Sequence, residues 1–126
     1  MEKKGTLGVN PKDQIGLTKI PLRLVPPALM IEVARVMQLG AKKYGPYNWR
    51  SNKVLATVYI EAAMRHLLAY LDGESFDPES RVSHLAHVAA CMGILLDAQA
   101  INALDDDRPV KGAAAELIKK YTQNKE

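Results

Sequence analysis

Residues 61–87 read EAAMRHLLAYLDGESFDPESRVSHLAH, and the fold turns on how this stretch is read. Its first part carries a helical pattern that runs into Gly73, a residue suited to the end of a helix. Its last part opens another helix, with Asp77 expected as N-cap and Pro78 just inside. Together they predict a helical hairpin. The same stretch holds all three histidines of the chain, His66, His84 and His87, and five of its 14 acidic residues, Glu61, Asp72, Glu74, Asp77 and Glu79. Imidazole beside carboxylate is what a divalent-metal site or an acid/base site requires.

Outward from the hairpin, its first helix is expected over about Lys53 to Asp72, burying Val54, Leu55, Val58, Ala62, Leu68 and Leu71. Its second runs from about Ser83 to Leu104 and is apolar nearly all round, which marks it as buried, either centrally or in an oligomer interface. Upstream, Pro26-Pro27 opens a helix reaching about Lys43, and Tyr44-Gly45-Pro46 stops it. Before it, KIPLRLVPP (19–27) has three prolines, which exclude a helix interior. This segment reads as an extended strap packing Ile20, Leu22 and Leu24 on the domain. Residues 1–18 read as a flexible arm, 111–121 as a short last helix and 122–126 as a polar tail. The expectation is one all-α domain over 19–121, a bundle of about four helices with no strand.

Bulk properties narrow the function. An apolar fraction of 48% with 25% charged residues is that of a soluble globular protein. The net charge of +3 comes largely from the two ends, so it argues for no nucleic-acid face and fits an anionic small-molecule substrate. A single cysteine, Cys91, suits a reducing compartment. No apolar run approaches the roughly 20 residues that span a bilayer. A cytoplasmic location without membrane contact is expected.

Each chemical signal has two readings. His84 and His87, at i and i+3, face the same side of a helix, where they either share a metal or phosphate or cap a polar helix start. Glu61 and Arg65 form an i, i+4 pair which, on a plain surface, contributes at most about 0.5 kcal/mol. His66 lies about 140° around the helix from Glu61 and is therefore set aside as structural. Glu74 and Asp77 sit on the loop that the hairpin brings near His84. Lys42, Lys43, Tyr44, Asn48, Trp49 and Arg50 combine cations, flat rings and an amide, as nucleotide contact does. The other reading has Trp49 plugging the core with the cations in water.

Taken in order, PLRLVPP (21–27), GAKKYG (40–45), NWR (48–50), RHLLA (65–69), DGE (72–74), DPES (77–80) and SHLAH (83–87) resemble one family. It is the phage and prophage dATP/dGTP diphosphohydrolase domain, which is similar to the MazG-like all-α nucleoside triphosphate pyrophosphohydrolases. The resemblance implies metal-dependent hydrolysis of dGTP or dATP to monophosphate and pyrophosphate. The setting would be phage nucleotide-pool or modified-DNA metabolism, in host cytoplasm or from a prophage. MazG-like enzymes hold Mg²⁺ or Mn²⁺ with an E-x-x-E pair and a later E-x-x-D pair. Here Met64 and Arg65 follow Glu61 at the spacing of the first pair, and His84 and His87 stand for the second. Imidazole also admits Co²⁺, Ni²⁺ or Zn²⁺.

With that family in view, Glu61, Glu74, Asp77, His84 and His87 are expected around the metal, and Glu74 or Glu79 to orient water. Lys43, Arg50 and Arg65 would neutralise phosphate, Tyr44 or Trp49 stack on the purine and Asn48 read its edge. A homo-oligomer, dimer or tetramer, is expected from the apolar helix. The rival is a non-catalytic, oligomeric nucleotide-binding or interaction module, which has no use for clustered acids and imidazoles. An HD-type phosphohydrolase needs an adjacent His-Asp pair, and none occurs.

Overall fold

The computed structural model describes residues 10–122; the N-terminal nine residues of the expected arm and all but the first of the expected tail lie outside this range. Six helices occur within it: α1 (Pro11–Gly16), α2 (Pro27–Tyr44), α3 (Asn48–Ser51), α4 (Ala56–Leu71), α5 (His84–Ala100) and α6 (Ala114–Tyr121). A 3₁₀ turn covers Leu22–Leu24, and two-residue strands β1 (Val54–Leu55) and β2 (Leu104–Asp105) flank the α4–α5 hairpin. The all-α expectation holds. The arm expected over 1–18 is helical at Pro11–Gly16, because Asn10 caps it by accepting from the Lys12 N–H at 2.9 Å and proline opens it.

Antiparallel α4 and α5 share the most extensive interface, and α2 also packs on α5. The residues that meet are small. Ala56 and Ala63 are buried on α4, and Ala86, Ala90 and Ala98 on α5. Side chains this small let two helix backbones approach closely. At the open end of the hairpin, β1 and β2 pair in parallel, Val54 with Leu104 and Leu55 with Asp105, where no strand was expected. Trp49, Val54, Ala98 and Ala103 form the core there, with Met37, Tyr59, Ile94 and Leu104 packed around them. The Asp107 carboxylate accepts from the backbone N–H and hydroxyl of Thr57, satisfying the first turn of α4 from across the chain.

Several burial expectations fail. Ile20, Leu22 and Leu24 do not pack on the domain but are 82%, 75% and 65% exposed, and the 3₁₀ turn at Leu22–Leu24 buries none of its residues. Leu55 on β1 and Val58, Leu68 and Leu71 on α4 face outward, and the buried line of α4 is Ala56, Ala63 and the half-buried Tyr59 and His66. On α5, Leu85, Met92 and Leu96 are exposed within the single chain, so the helix is covered on part of its circumference only.

Candidate active site at the closed end of the hairpin

Two turns of backbone build the site. At the end of α4, the Gly73 N–H donates to the Tyr70 carbonyl at 3.1 Å and the Glu74 N–H to the Ala69 carbonyl at 3.0 Å. This closure needs a left-handed residue, and Gly73 supplies it with φ 106°. The chain then doubles back. Asp77 N–H donates to the Val82 carbonyl at 2.9 Å, and His84 N–H to the Ser75 carbonyl at 3.1 Å. Asp77 caps this turn, accepting from the Glu79 N–H at 3.0 Å, rather than α5. The N-cap of α5 is Ser83, whose hydroxyl oxygen accepts from the Leu85 N–H at 3.1 Å, because five residues of turn separate Pro78 from the first helical position.

This scaffold brings the three imidazoles together. His84 is buried, 4% exposed, with Nδ1 2.8 Å from Nδ1 of His66 and Nε2 2.6 Å from Oε1 of Glu74. The His66 and His87 rings stack with centroids 4.3 Å apart and planes 5° from parallel. His87 Nε2 lies 2.7 Å from the Ser80 hydroxyl and 3.5 Å from Oδ2 of Asp77. Burial, followed by the adjacent rings of His87 and His84, holds the His66 imidazolium below the ordinary histidine range. Burial does the same for His87, against an opposing pull from Asp77. Both rings are thus biased to the neutral, metal-ligating form. His66, Asp77 and His87 each offer a donor atom, all within 4.8 Å of one another, a grouping that could hold one metal ion. Two nitrogens and one carboxylate oxygen fit a divalent transition metal, and suit Mg²⁺, which prefers oxygen, less well.

The expected residues fall into separate places. Glu74, Asp77, His84 and His87 meet at the closed end, joined by His66, which the helical projection had set aside. Glu61 and Arg65 are exposed on α4, and no hydrogen bond or ion pair among the described residues links Glu61 to the cluster. Glu79 stands at the rim, its carboxylate 3.8 Å from the Lys43 ammonium.

A groove of about 780 Å³ leads away from His87 between α2 and α5, a size typical of small-molecule sites. Val33, Met37, Ala41, Tyr59, Ala90 and Ile94 line it, together with Tyr44, Tyr47, Asn48, Trp49, Arg50 and Asp97. Trp49 is 7% exposed and its indole N–H donates to Asp97 at 2.7 Å, so most of the ring is committed to the core. Arg50 donates twice to the same carboxylate, at 2.7 and 2.9 Å, and its guanidinium lies 4.3 Å over the Tyr47 ring. The bond to Arg50, then that to Trp49, holds the Asp97 carboxyl below its usual range. The rings left exposed beside the groove are Tyr44 and Tyr47. Neither Tyr47 nor Asp97 drew attention in the sequence. For Tyr47 the available signal was its place between Pro46 and Asn48, where a left-handed residue, here φ 55°, re-aims the chain.

The imidazole–carboxylate cluster and the apolar groove meet at His87, which belongs to both. The family follows from the sequence comparison: residues 9–108 match the family model described as dATP/dGTP diphosphohydrolase, N-terminal, and the chain belongs to that family. Over 72 residues, 57% of this chain, it is 38% identical to a Salmonella phage PMBT28 protein named dATP/dGTP diphosphohydrolase. The matched stretch is 24% of that relative, so the chain spans about a quarter of its length. No solved structure matches the chain. No helix among the described residues is long and apolar enough to cross a membrane.

Proposed function

We propose that this domain hydrolyses a purine deoxynucleoside triphosphate, dGTP or dATP, to the monophosphate and pyrophosphate in phage nucleotide metabolism. The observation that carries the reading is the groove between α2 and α5, which is lined both by His87, a member of the His66–Asp77–His87 set, and by Tyr44, Tyr47 and Asn48. A rise of about 1.5 Å per residue along α5 puts Asp97 roughly 15 Å from His87, about the reach of an extended nucleotide.

In this reading His66, Asp77 and His87 hold a divalent ion. When bound, the ion supplies Lewis acidity toward phosphoryl oxygens and lowers the pKa of water. Lys43 offsets triphosphate charge at the rim. Glu79, at the rim beside Lys43, accepts the proton of the water that attacks the α-phosphorus, and pyrophosphate leaves. Tyr44 or Tyr47 stacks on the purine, and Asn48, half-buried at the groove, bonds its edge. Arg50 and Trp49 hold that part of the groove in shape through Asp97. Exposed apolar side chains on the strap and on α4 support a homo-oligomer.

The test is incubation with each deoxynucleoside triphosphate plus Mg²⁺, Mn²⁺ or Co²⁺, with products separated by anion exchange. Monophosphate and pyrophosphate are expected, lost in Asp77→Asn and His87→Ala without loss of helical circular dichroism. Diphosphate, or tripolyphosphate with free nucleoside, would establish a different phosphohydrolase chemistry. No turnover by folded protein with any metal would leave a nucleotide-binding module.

A further inference from the structure

The bonds at His84 point past it to His66. Glu74 Oε1 lies 2.6 Å from Nε2 of His84, and a carboxylate can only accept, so Nε2 of His84 carries a proton. A neutral His84 then has its lone pair on Nδ1, which lies 2.8 Å from Nδ1 of His66. That contact is a hydrogen bond only if Nδ1 of His66 is the protonated atom. The remaining nitrogen of His66, Nε2, is left with a lone pair. His84 is enclosed, and among the described residues its two ring nitrogens bond nothing else, so the direction of the chain is set at Glu74.

We infer that Glu74 and His84 are positioning residues that fix the tautomer of His66, leaving Nε2 as the nitrogen with a lone pair to offer to the set it forms with Asp77 and His87. This inference rests on the metal-centred reading for its purpose, though not for its geometry. It takes Glu74 and His84 out of the expected ligand set and gives them the part that carboxylates and carbonyls often play behind metal-bound histidines. It also gives the buried His84 a role that needs no contact with substrate.

The experiment uses metal-free protein labelled with ¹⁵N-histidine, at a pH of about 8, where histidine is ordinarily neutral. Two-bond proton–nitrogen correlations identify the protonated nitrogen of each ring. His66 is expected as the Nδ1–H tautomer and His84 as Nε2–H. In Glu74→Ala the two rings should redistribute toward His84 Nδ1–H and His66 Nε2–H. Mn²⁺ and Co²⁺ affinity, read by calorimetry, should fall about 10–100-fold in that variant. Glu74→Gln, whose amide oxygen can still accept from His84, should keep the wild-type tautomers and most of the affinity. Wild-type His66 found as Nε2–H overturns the inference without any variant, and so do tautomers and affinity unchanged in Glu74→Ala. The two readings fail separately. Metal binding with the wrong His66 tautomer removes the relay alone, and the expected tautomers without metal binding remove the metal centre alone.

Discussion

Two imidazole rings stacked at 4.3 Å tolerate one positive charge poorly and two worse, which makes the His66–His87 pair sensitive to pH. Both groups are held below the ordinary value of 6.5 in the fold, chiefly by burial. As pH falls through about 6.5, the unfolded chain therefore takes up protons before the folded chain does, and stability is lost. Above that range both states are neutral and the contribution is flat. The urea midpoint of metal-free protein, kept so with a chelator, should accordingly be lower at pH about 5.5 than at about 8. A midpoint unchanged or raised at the acid end would mean that the rings are not packed as described. At this scale the sequence was partly legible. The density of histidine and acid between residues 61 and 87 marked a candidate site, and Glu74, Asp77, His84 and His87 do meet. The part of His66 was not legible, because its angle was measured from Glu61 on the same helix, while its partners come from α5 and the loop. Which way α4 faces is decided by alanines at 56 and 63, residues without a chemical signal of their own.

Among the elements, α3 is a single turn of four residues that owes its place to one side chain from another helix. Asp97 on α5 accepts from both Trp49 and Arg50, so Asn48–Ser51 is pinned across the end of α5. Trp49→Ala removes the largest side chain of the core and should cost about 3–5 kcal/mol by urea unfolding. Asp97→Asn should cost less, since an amide oxygen still accepts, and should loosen Arg50 enough to change the groove beside Tyr47. A Trp49→Ala variant as stable as the parent would show that the core lies elsewhere. The helices themselves were readable from Gly73, Pro26-Pro27 and the apolar periodicity. The strands were not. Two residues carry no alternation to detect, and β1 and β2 exist only because α4 and α5 bring Val54 and Leu104 side by side. Asp77-Pro78 has the composition of a helix start, yet the chain spends that signal on a turn and lets Ser83 cap the helix.

For the molecule as a whole, the outstanding property is how much apolar surface one chain leaves in water. Ile20, Leu22 and Leu24 on the strap, and Met64, Leu67, Leu68 and Leu71 on α4, are all half or more exposed. Serine at positions 20, 22 and 24 together should move the unfolding midpoint of dilute, monomeric protein very little, within about 0.5 kcal/mol per site. In sedimentation at higher concentration the same triple substitution should shift any oligomer toward monomer. A large loss of stability in the monomer would mean that the strap packs on its own domain after all. Periodicity could announce an all-α domain but could not say which apolar faces stay uncovered, since that depends on how few helices share one small, alanine-lined contact. The pairing of β1 with β2 has a further consequence. It fastens the hairpin at the end opposite the imidazoles, and sixteen residues of α4 place these two ends roughly 24 Å apart. Amides at the fastened end should exchange with solvent last, while the turn over 72–83 opens on its own, ahead of global unfolding. Loop breathing that admits or releases a ligand can then proceed without loosening what keeps the domain folded, and substitutions that tighten the fastened end leave that breathing untouched.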